Sequence, residues 1–113
     1  MTTIGIQSAI QFALHGLSDR RTVTDNNLAN VQTPGFLAKR SSFEDALKSA
    51  LEGNSVSLKP TQSTSLSPTR TDGNNVDIDN ETVTAIDTNL RYQAMVEAMN
   101  HQFRTLRSAI GSQ

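Results

Sequence analysis

Residues 80–110 read NETVTAIDTNLRYQAMVEAMNHQFRTLRSAI, a stretch without Gly or Pro. Its apolar residues recur every three or four positions, which predicts one long amphipathic helix. Asp79 or Asn80 is the expected N-cap, because Asp and Asn side chains accept hydrogen bonds from the first N–H groups of a helix. The apolar stripe, which shifts slightly round the helix after its first turns, consists of Val83, Ile86, Leu90, Tyr92, Met95, Val96, Met99, Phe103, Leu106 and Ile110.

A second long helix is predicted near the N-terminus, over about residues 3–32. Seven positions there are separated alternately by four and three residues, which is the heptad spacing of a coiled coil. They are Ile10, Leu14, Leu17, Arg21, Thr24, Leu28 and Val31. Arg21 and Thr24 interrupt the seam, and Gly5 and Gly16 each weaken the helix by about 1 kcal/mol relative to Ala. Two incomplete seams predict that the terminal helices pair as an antiparallel coiled coil.

The N-terminal helix is expected to stop at Thr33-Pro34-Gly35. Pro34 disfavours the helical conformation at Thr33, and Pro followed by Gly suits the centre of a type II turn. We therefore predict a turn over residues 33–41.

A short amphipathic helix is predicted over residues 42–52. Ser41 and Glu44 have the spacing of a capping box, and Gly53 offers a C-terminal cap. Residues 53–79 are rich in Ser, Thr, Pro and Gly, which is typical of a loop or an extended arm. Asp72-Gly73 could turn a small β-hairpin within that arm. The predicted fold class is thus all-α dominated, with a loop or small hairpin between the helices.

The composition favours one small domain over residues 1–113 that gains stability from neighbours. Leu, Ile, Val and Phe supply 26 of the 113 residues, about 23%, which is just above the roughly 20% typical of disordered chains. The net charge of -1 provides no basic field for nucleic acid. No Cys is present, so disulfides and cysteine-bound zinc are excluded. We find no secretory signal pattern and no apolar run long enough to span a membrane.

No group of residues suggests catalysis, a cofactor, a metal or a small-molecule substrate. His15 and His101 have no suitably spaced Cys or carboxylate, and surface histidines on helices are the ordinary case. Aligning Gly73 with the glycine of an EF-hand places Pro68 and Arg70 where calcium-binding carboxylates are required. We therefore expect a protein that is not an enzyme.

The segment Asn27-Leu28-Ala29-Asn30-Val31-Gln32-Thr33-Pro34-Gly35-Phe36 resembles the N-terminal signature of flagellar rod and hook proteins. Residues 72–81 resemble the segment that precedes the C-terminal helix in the proximal-rod members. Residues 90–94 and 103–110 resemble parts of that helix itself. The chain is thereby identified as a member of the flagellar rod and hook protein family, of the proximal-rod type.

This resemblance implies a structural subunit of the proximal rod of the flagellar basal body, exported by the flagellar type III apparatus without signal cleavage. The implied partners are other copies of the chain, related rod subunits, basal-body adapter proteins, and base or export-gate proteins. The chain itself is not expected to insert into the membrane. Candidate subunit-packing residues are Ile10, Leu14, Leu17, Leu28, Val31, Leu90, Tyr92, Met95, Met99, Phe103, Leu106 and Ile110.

Two alternatives stay open. Phe43 and Leu47 are similar to an export-gate recognition pattern, an aromatic residue followed four positions later by an apolar one, but both also suit plain helix packing. Asn30 suits either ordinary helix-end chemistry or, because it belongs to the signature, a shaped turn or interface. The alternative function is that of a small helical adapter or secretion chaperone in the cytoplasm, which would use the same apolar faces to bind a partner helix.

Overall fold

The computed structural model describes residues 5–53 and 59–111. Within them the elements, in chain order, are α1 Ile6–Ala29, β1 Lys39–Ser42, α2 Glu44–Leu51, β2 Thr61–Thr64 and α3 Ile78–Gly111. The predicted fold class is confirmed: two long terminal helices pack together, with a short helix and an antiparallel strand pair between them.

Helices α1 and α3 run antiparallel, as predicted. Asn27, near the end of α1, hydrogen-bonds to Glu81, near the start of α3. At the other end of the pair, Phe12 and Leu17 of α1 share a hydrophobic cluster with Met95 of α3. The molecule is therefore elongated, with extents of 67 × 29 × 14 Å.

Three of the seven predicted seam positions of α1, namely Ile10, Leu17 and Thr24, are buried. Leu14, Leu28 and Val31 are half-buried, and Arg21 is exposed. The heptad assignment followed the larger apolar side chains. The helix also buries the small Ala13 and the polar Asn27, which lie outside that heptad.

A second layer covers another face of α1. Strands β1 and β2 pair antiparallel with Lys39 opposite Thr64 and Ser42 opposite Thr61, and helix α2 lies between them in the chain. The predicted turn over 33–41 therefore ends in a strand, and the predicted arm over 53–79 contains the other strand. The hairpin expected at Asp72-Gly73 is wrong, because the strands on either side of α2 pair with each other.

Both predicted helix starts need correction. Helix α3 begins at Ile78, and Asp77 caps it: its Oδ1 accepts hydrogen bonds from the N–H groups of Asp79 and Asn80 at 3.0 and 3.3 Å. At α2, Glu44 accepts a hydrogen bond from the N–H of Phe43, which is the actual N-cap residue. Ser41 makes no cap there, since its hydroxyl donates to Asp19 instead.

The ends of α1 also differ from the predicted range of 3–32. The helix starts at Ile6, after Gly5 in an extended conformation, and ends at Ala29, with Asn30 as its C-cap. The predicted start at residue 3 lies outside the described residues. None of the helices in the described ranges is long and apolar enough to cross a membrane.

Candidate functional site

The signature segment 27–36 forms an internal junction between α1, β1 and α3. Asn27 is only 1% exposed. Its side-chain oxygen accepts a hydrogen bond from the N–H of Lys39 at 3.0 Å, and its amide donates to the carbonyl of Lys39 at 2.8 Å. The same amide donates to the buried Glu81 at 3.2 Å. Asn27 therefore fixes three elements at one point.

Asn30 shapes the turn that follows α1. Its amide donates to the carbonyl of Asn26 at 2.8 Å, and its side-chain oxygen accepts a hydrogen bond from the hydroxyl of Thr33 at 3.1 Å. Gly35 then adopts a positive φ of 74°, a conformation that favours glycine. Asn30 is thus both the C-cap of α1 and part of the shaped turn that follows it.

Asn74 holds that turn against the start of α3. Its side chain is fully buried, and its amide donates to the carbonyls of Asn30 at 2.8 Å and Thr33 at 2.9 Å. Its side-chain oxygen accepts a hydrogen bond from the N–H of Val76 at 2.7 Å. The preceding Gly73 has a φ of 84° and lies so close to Gly35 that an added Cβ would be 3.3 Å from the Gly35 Cα. The two glycines thus allow the two turns to touch.

Asn75 performs the same task for the strand pair. Its side-chain oxygen accepts a hydrogen bond from the N–H of Ala38 at 2.6 Å, and its amide donates to the carbonyls of Ser65 and Ser67. We call Asn27, Asn30, Asn74 and Asn75 together the asparagine clasp. Each of its side chains hydrogen-bonds to backbone groups. For Asn27, Asn74 and Asn75, which are buried, leaving the amide without partners would be costly.

The resemblance to rod proteins pointed to residues 72–81 without assigning a role to Asn74 or Asn75. Sequence reasoning missed that role because the partners of both side chains are backbone atoms distant in the chain. The only local signal was the pair of amides after a Gly turn, and Asn is common in turns for simpler reasons.

Phe43 is the central residue of the apolar cluster under α1 and α2. Its ring makes an edge-to-face contact with Phe12, with centroids 6.0 Å apart, and the Arg20 guanidinium lies 5.0 Å from the ring centre. The ring also rests on Gly16, where an added Cβ would lie 2.3 Å from the ring carbon Cγ. Gly16 therefore has a packing role beyond the helix weakening expected from sequence.

Arg20 joins α1 to the start of α2. Its guanidinium donates to Glu44 and to the carbonyl of Ser41. Partial burial acts to raise the pKa of Glu44, but hydrogen bonds from Arg20 and from backbone N–H groups, together with the Arg20 charge, outweigh burial. The net result is a Glu44 pKa below its ordinary value of 4.5. The carboxylate is thus held in its charged form.

The predicted export-gate residues belong to the same region. Phe43 is buried, Leu47 is half-buried, and the N–H of Leu47 donates to the carbonyl of Phe43 at 2.9 Å. In the folded chain the Phe43 ring is inaccessible to another protein. Any recognition of this pair during export must therefore take place before the chain folds.

The predicted subunit-packing residues divide into three groups by burial. Ile10 and Leu17 are buried inside the chain, whereas Leu14, Leu28, Val31, Met95 and Met99 are half-buried. The remaining residues are exposed on α3, with exposed fractions of 61% for Leu90, 39% for Tyr92, 47% for Phe103, 55% for Leu106 and 64% for Ile110. Only α3 therefore presents large apolar side chains from this set to solvent.

Metal-binding chemistry has no support in the geometry. His15 and His101 are exposed, and no group of three or more His, Asp or Glu side chains within 5–53 and 59–111 is arranged to hold a metal ion. The exposed surface of α3 instead presents apolar and charged side chains.

Comparison with similar proteins assigns this chain to a family. A flagellar basal body rod protein FlgB from Bacillus subtilis (strain 168) is 31% identical over 118 residues, covering 89% of this chain and 89% of the relative. The chain belongs to the FlgB family. A FlgB from Aeromonas hydrophila is 31% identical and covers 88% of each chain, and one from Borrelia hermsii is 31% identical over 83% of this chain and 87% of its own. No protein-family model matches the sequence.

Membership of the FlgB family confirms the resemblance found in the signature and in the C-terminal helix. Six relatives with this name are 28–31% identical to the chain. The matches cover 80–89% of this chain.

Proposed function

We propose that this protein is a structural subunit of the proximal rod of the bacterial flagellar basal body, built into a hollow drive shaft by helix packing and without a catalytic step. The observation that carries the proposal is membership of a family named as flagellar basal body rod proteins. The exposed apolar residues of α3 support it, since apolar faces of this kind favour protein contacts.

The proposal includes export of the chain by the flagellar type III apparatus before it folds. The partners would then be other copies, related rod subunits, and the adapter and base proteins at the foot of the shaft. Folding after export suits the structure, because the clasp and the Phe43 cluster connect residues that are distant in the chain.

Fractionation of cells tests the main proposal. A tagged chain should co-purify with detergent-extracted basal bodies, and it should disappear from them when type III export is disabled. A chain that stays soluble in the cytoplasm and is indifferent to export would contradict the proposal and favour the adapter or chaperone function.

We further propose that Phe43 and Leu47 serve in export as well as in packing. Phe43→Ala and Leu47→Ala should each lower the amount of exported chain. Phe12→Ala is the matched control, because it damages the same apolar cluster while leaving the Phe43–Leu47 pair intact. Equal export of all three variants would show that the pair acts only in packing.

A further inference from the structure

Helix α3 carries a second apolar face, centred away from the residues that it buries, although Val83 and Ile86 of this face also line grooves beside α1. Val83, Ile86 and Leu90 are 65%, 58% and 61% exposed, and we call them the outer stripe. Each lies two residues from Glu81 or Thr88, the buried α3 residues. Two residues correspond to about 200° round a helix, so the outer stripe lies on nearly the opposite side of α3 from its buried residues.

The C-terminal part of α3 carries a second exposed set, Phe103, Leu106 and Ile110, which we call the tail triad. Helix α3 has 34 residues and α1 has 24. Because Asn27 near the end of α1 bonds to Glu81 near the start of α3, the extra length of α3 lies at its C-terminal end. It extends about 15 Å beyond α1 at 1.5 Å per residue. The tail triad therefore lies where α1 provides little cover.

The two surfaces match in spacing. Positions 83, 86 and 90 follow the pattern i, i+3, i+7, and so do positions 103, 106 and 110. Each set forms a short apolar ridge over two helical turns, which is the geometry by which two helices pack side by side. Ridges of equal length and spacing can interdigitate along their whole length.

The two surfaces also differ in charge. Residues 77–91 contain four acidic residues and one basic residue, Arg91, whereas residues 97–111 contain Arg104, Arg107 and one acidic residue, Glu97. Asp87 flanks the outer stripe and pairs with Arg91 at 2.9 Å in an exposed contact. Arg107 flanks the tail triad. Opposite charges beside two matched apolar ridges favour contact between the two surfaces and disfavour contact of either with itself.

We propose that the tail triad of one copy packs against the outer stripe of a second copy of this chain. The inference rests on the proposed role as a rod subunit. The two ridges lie 20 positions apart, or about 30 Å along α3, and about 200° apart round it. One chain therefore has both surfaces available at once, and a contact between two different surfaces builds an open array or a ring, not a closed pair.

Each contact is small. A ridge of three side chains is far below the roughly 800 Å² per partner of a standard stable interface. The contact is therefore expected to persist only where neighbouring subunits hold many such pairs in place. This explains why a subunit with two exposed apolar ridges can stay soluble before assembly.

Disulfide cross-linking tests the contact, because the chain has no Cys of its own. Ile86→Cys and Leu106→Cys, the middle residues of the two ridges, are introduced into differently tagged copies that are expressed together. Oxidation of purified basal bodies should give a dimer that carries both tags. Gln11→Cys, at an exposed position of α1, combined with Leu106→Cys is the control and should give no such dimer.

The outcomes separate the inference from the proposed function. Recovery of both copies in basal bodies without the mixed dimer overturns the inference and leaves the rod assignment standing. A cross-link from Leu106→Cys to a protein of another size shows that the occupant is not a second copy. Absence of the unsubstituted tagged chain from basal bodies overturns both.

If a cysteine variant fails to assemble, exchanging two charges tests the same contact between the tail triad and the outer stripe. Arg107→Asp and Asp87→Arg should each lower recovery in basal bodies severalfold, and the double variant should restore it. Arg107→Asp also removes a favourable charge from the C-terminal end of α3, but Asp87→Arg cannot repair that effect. Recovery of the double variant no better than that of Arg107→Asp alone would contradict the contact.

Discussion

The two ends of α3 have different roles in the molecule. At its start, the asparagine clasp joins α1, β1 and α3 through polar side chains, most of them buried, whose hydrogen bonds are made mainly to backbone groups. At its far end, the tail triad presents apolar side chains to solvent with little cover from the rest of the chain. The comparison teaches that the clasp specifies the shape of one subunit, whereas the tail is available to specify contacts between subunits.

The largest expected effect separates the two ends by function. Leu106→Asp should reduce recovery of the chain in basal bodies at least about tenfold, because burial of an unpaired charge in an apolar contact is costly. Its free energy of unfolding should change by less than about 0.5 kcal/mol, as expected for an exposed position. Ser108→Asp, two residues away and also exposed, is the control and should assemble normally. Normal recovery of Leu106→Asp would remove the tail from the assembly surface.

The clasp should respond in the opposite way. Asn74→Ala leaves the N–H of Val76 without its partner, whereas the carbonyls of Asn30 and Thr33 keep the N–H groups of Thr33 and Phe36. At about 1–3 kcal/mol for the unsatisfied N–H and about 0.5–1.5 kcal/mol for each of the other two lost hydrogen bonds, the free energy of unfolding should fall by about 2 kcal/mol or more. Urea denaturation measures the loss, with the exposed Asn89→Ala as the control. A loss no larger than that of the control would mean that Asn74 does not hold the junction.

The sequence predicts the two ends unequally well. The helix of residues 80–110 and its apolar stripe follow from periodicity, because a long run without Gly or Pro has few competing conformations. The clasp does not follow, since the same amides would suit an ordinary turn. Its role depends on which distant carbonyls come within hydrogen-bonding distance in the folded chain, and the local sequence does not show this.

The strand pair and the seam of α1 were missed for related reasons. Lys39–Ser42 and Thr61–Thr64 contain no apolar residue, so neither shows the alternation by which a strand is usually recognised. In α1 the large side chains Leu14 and Leu28 suggested part of the seam, but both are only half-buried, whereas the small Ala13 and the polar Asn27 are buried. Asn27 can be buried there only because Lys39 and Glu81 satisfy its amide.

A smaller effect tests the packing of α1 against the Phe43 ring at the start of α2. Gly16→Ala places a methyl group against the Phe43 ring, and overpacking of this kind costs about 1–3 kcal/mol. The better helix propensity of Ala returns about 1 kcal/mol, so a net loss of about 1 kcal/mol is expected. Gly5→Ala is the control, because nothing lies within 4 Å of its added Cβ. A gain in thermal stability for Gly16→Ala would mean that Phe43 does not rest on this glycine.

The smallest expected effect is a change in how the free energy of unfolding depends on acidic pH. The folded state lowers the pKa of Glu44 below 4.5, so its contribution is present above that pH and is lost as the pH falls through the folded pKa. Glu44→Gln should therefore lower the free energy of unfolding near neutral pH and make little difference at about pH 3. The effect should stay under about 1 kcal/mol because the side chain is partly exposed and water screens its charge.

Asp45→Asn is the matched control for that experiment, since Asp45 shares the first turn of α2 with Glu44. Both substitutions remove a negative charge from the N-terminal end of the helix, where such charges are favourable. Only Glu44→Gln also weakens the ion pair with Arg20, which links α1 to α2. A larger loss near neutral pH for Glu44→Gln than for Asp45→Asn would assign the difference to that pair. Equal losses would leave the helix dipole as the whole cause and place the stability of this region in the Phe43 cluster alone.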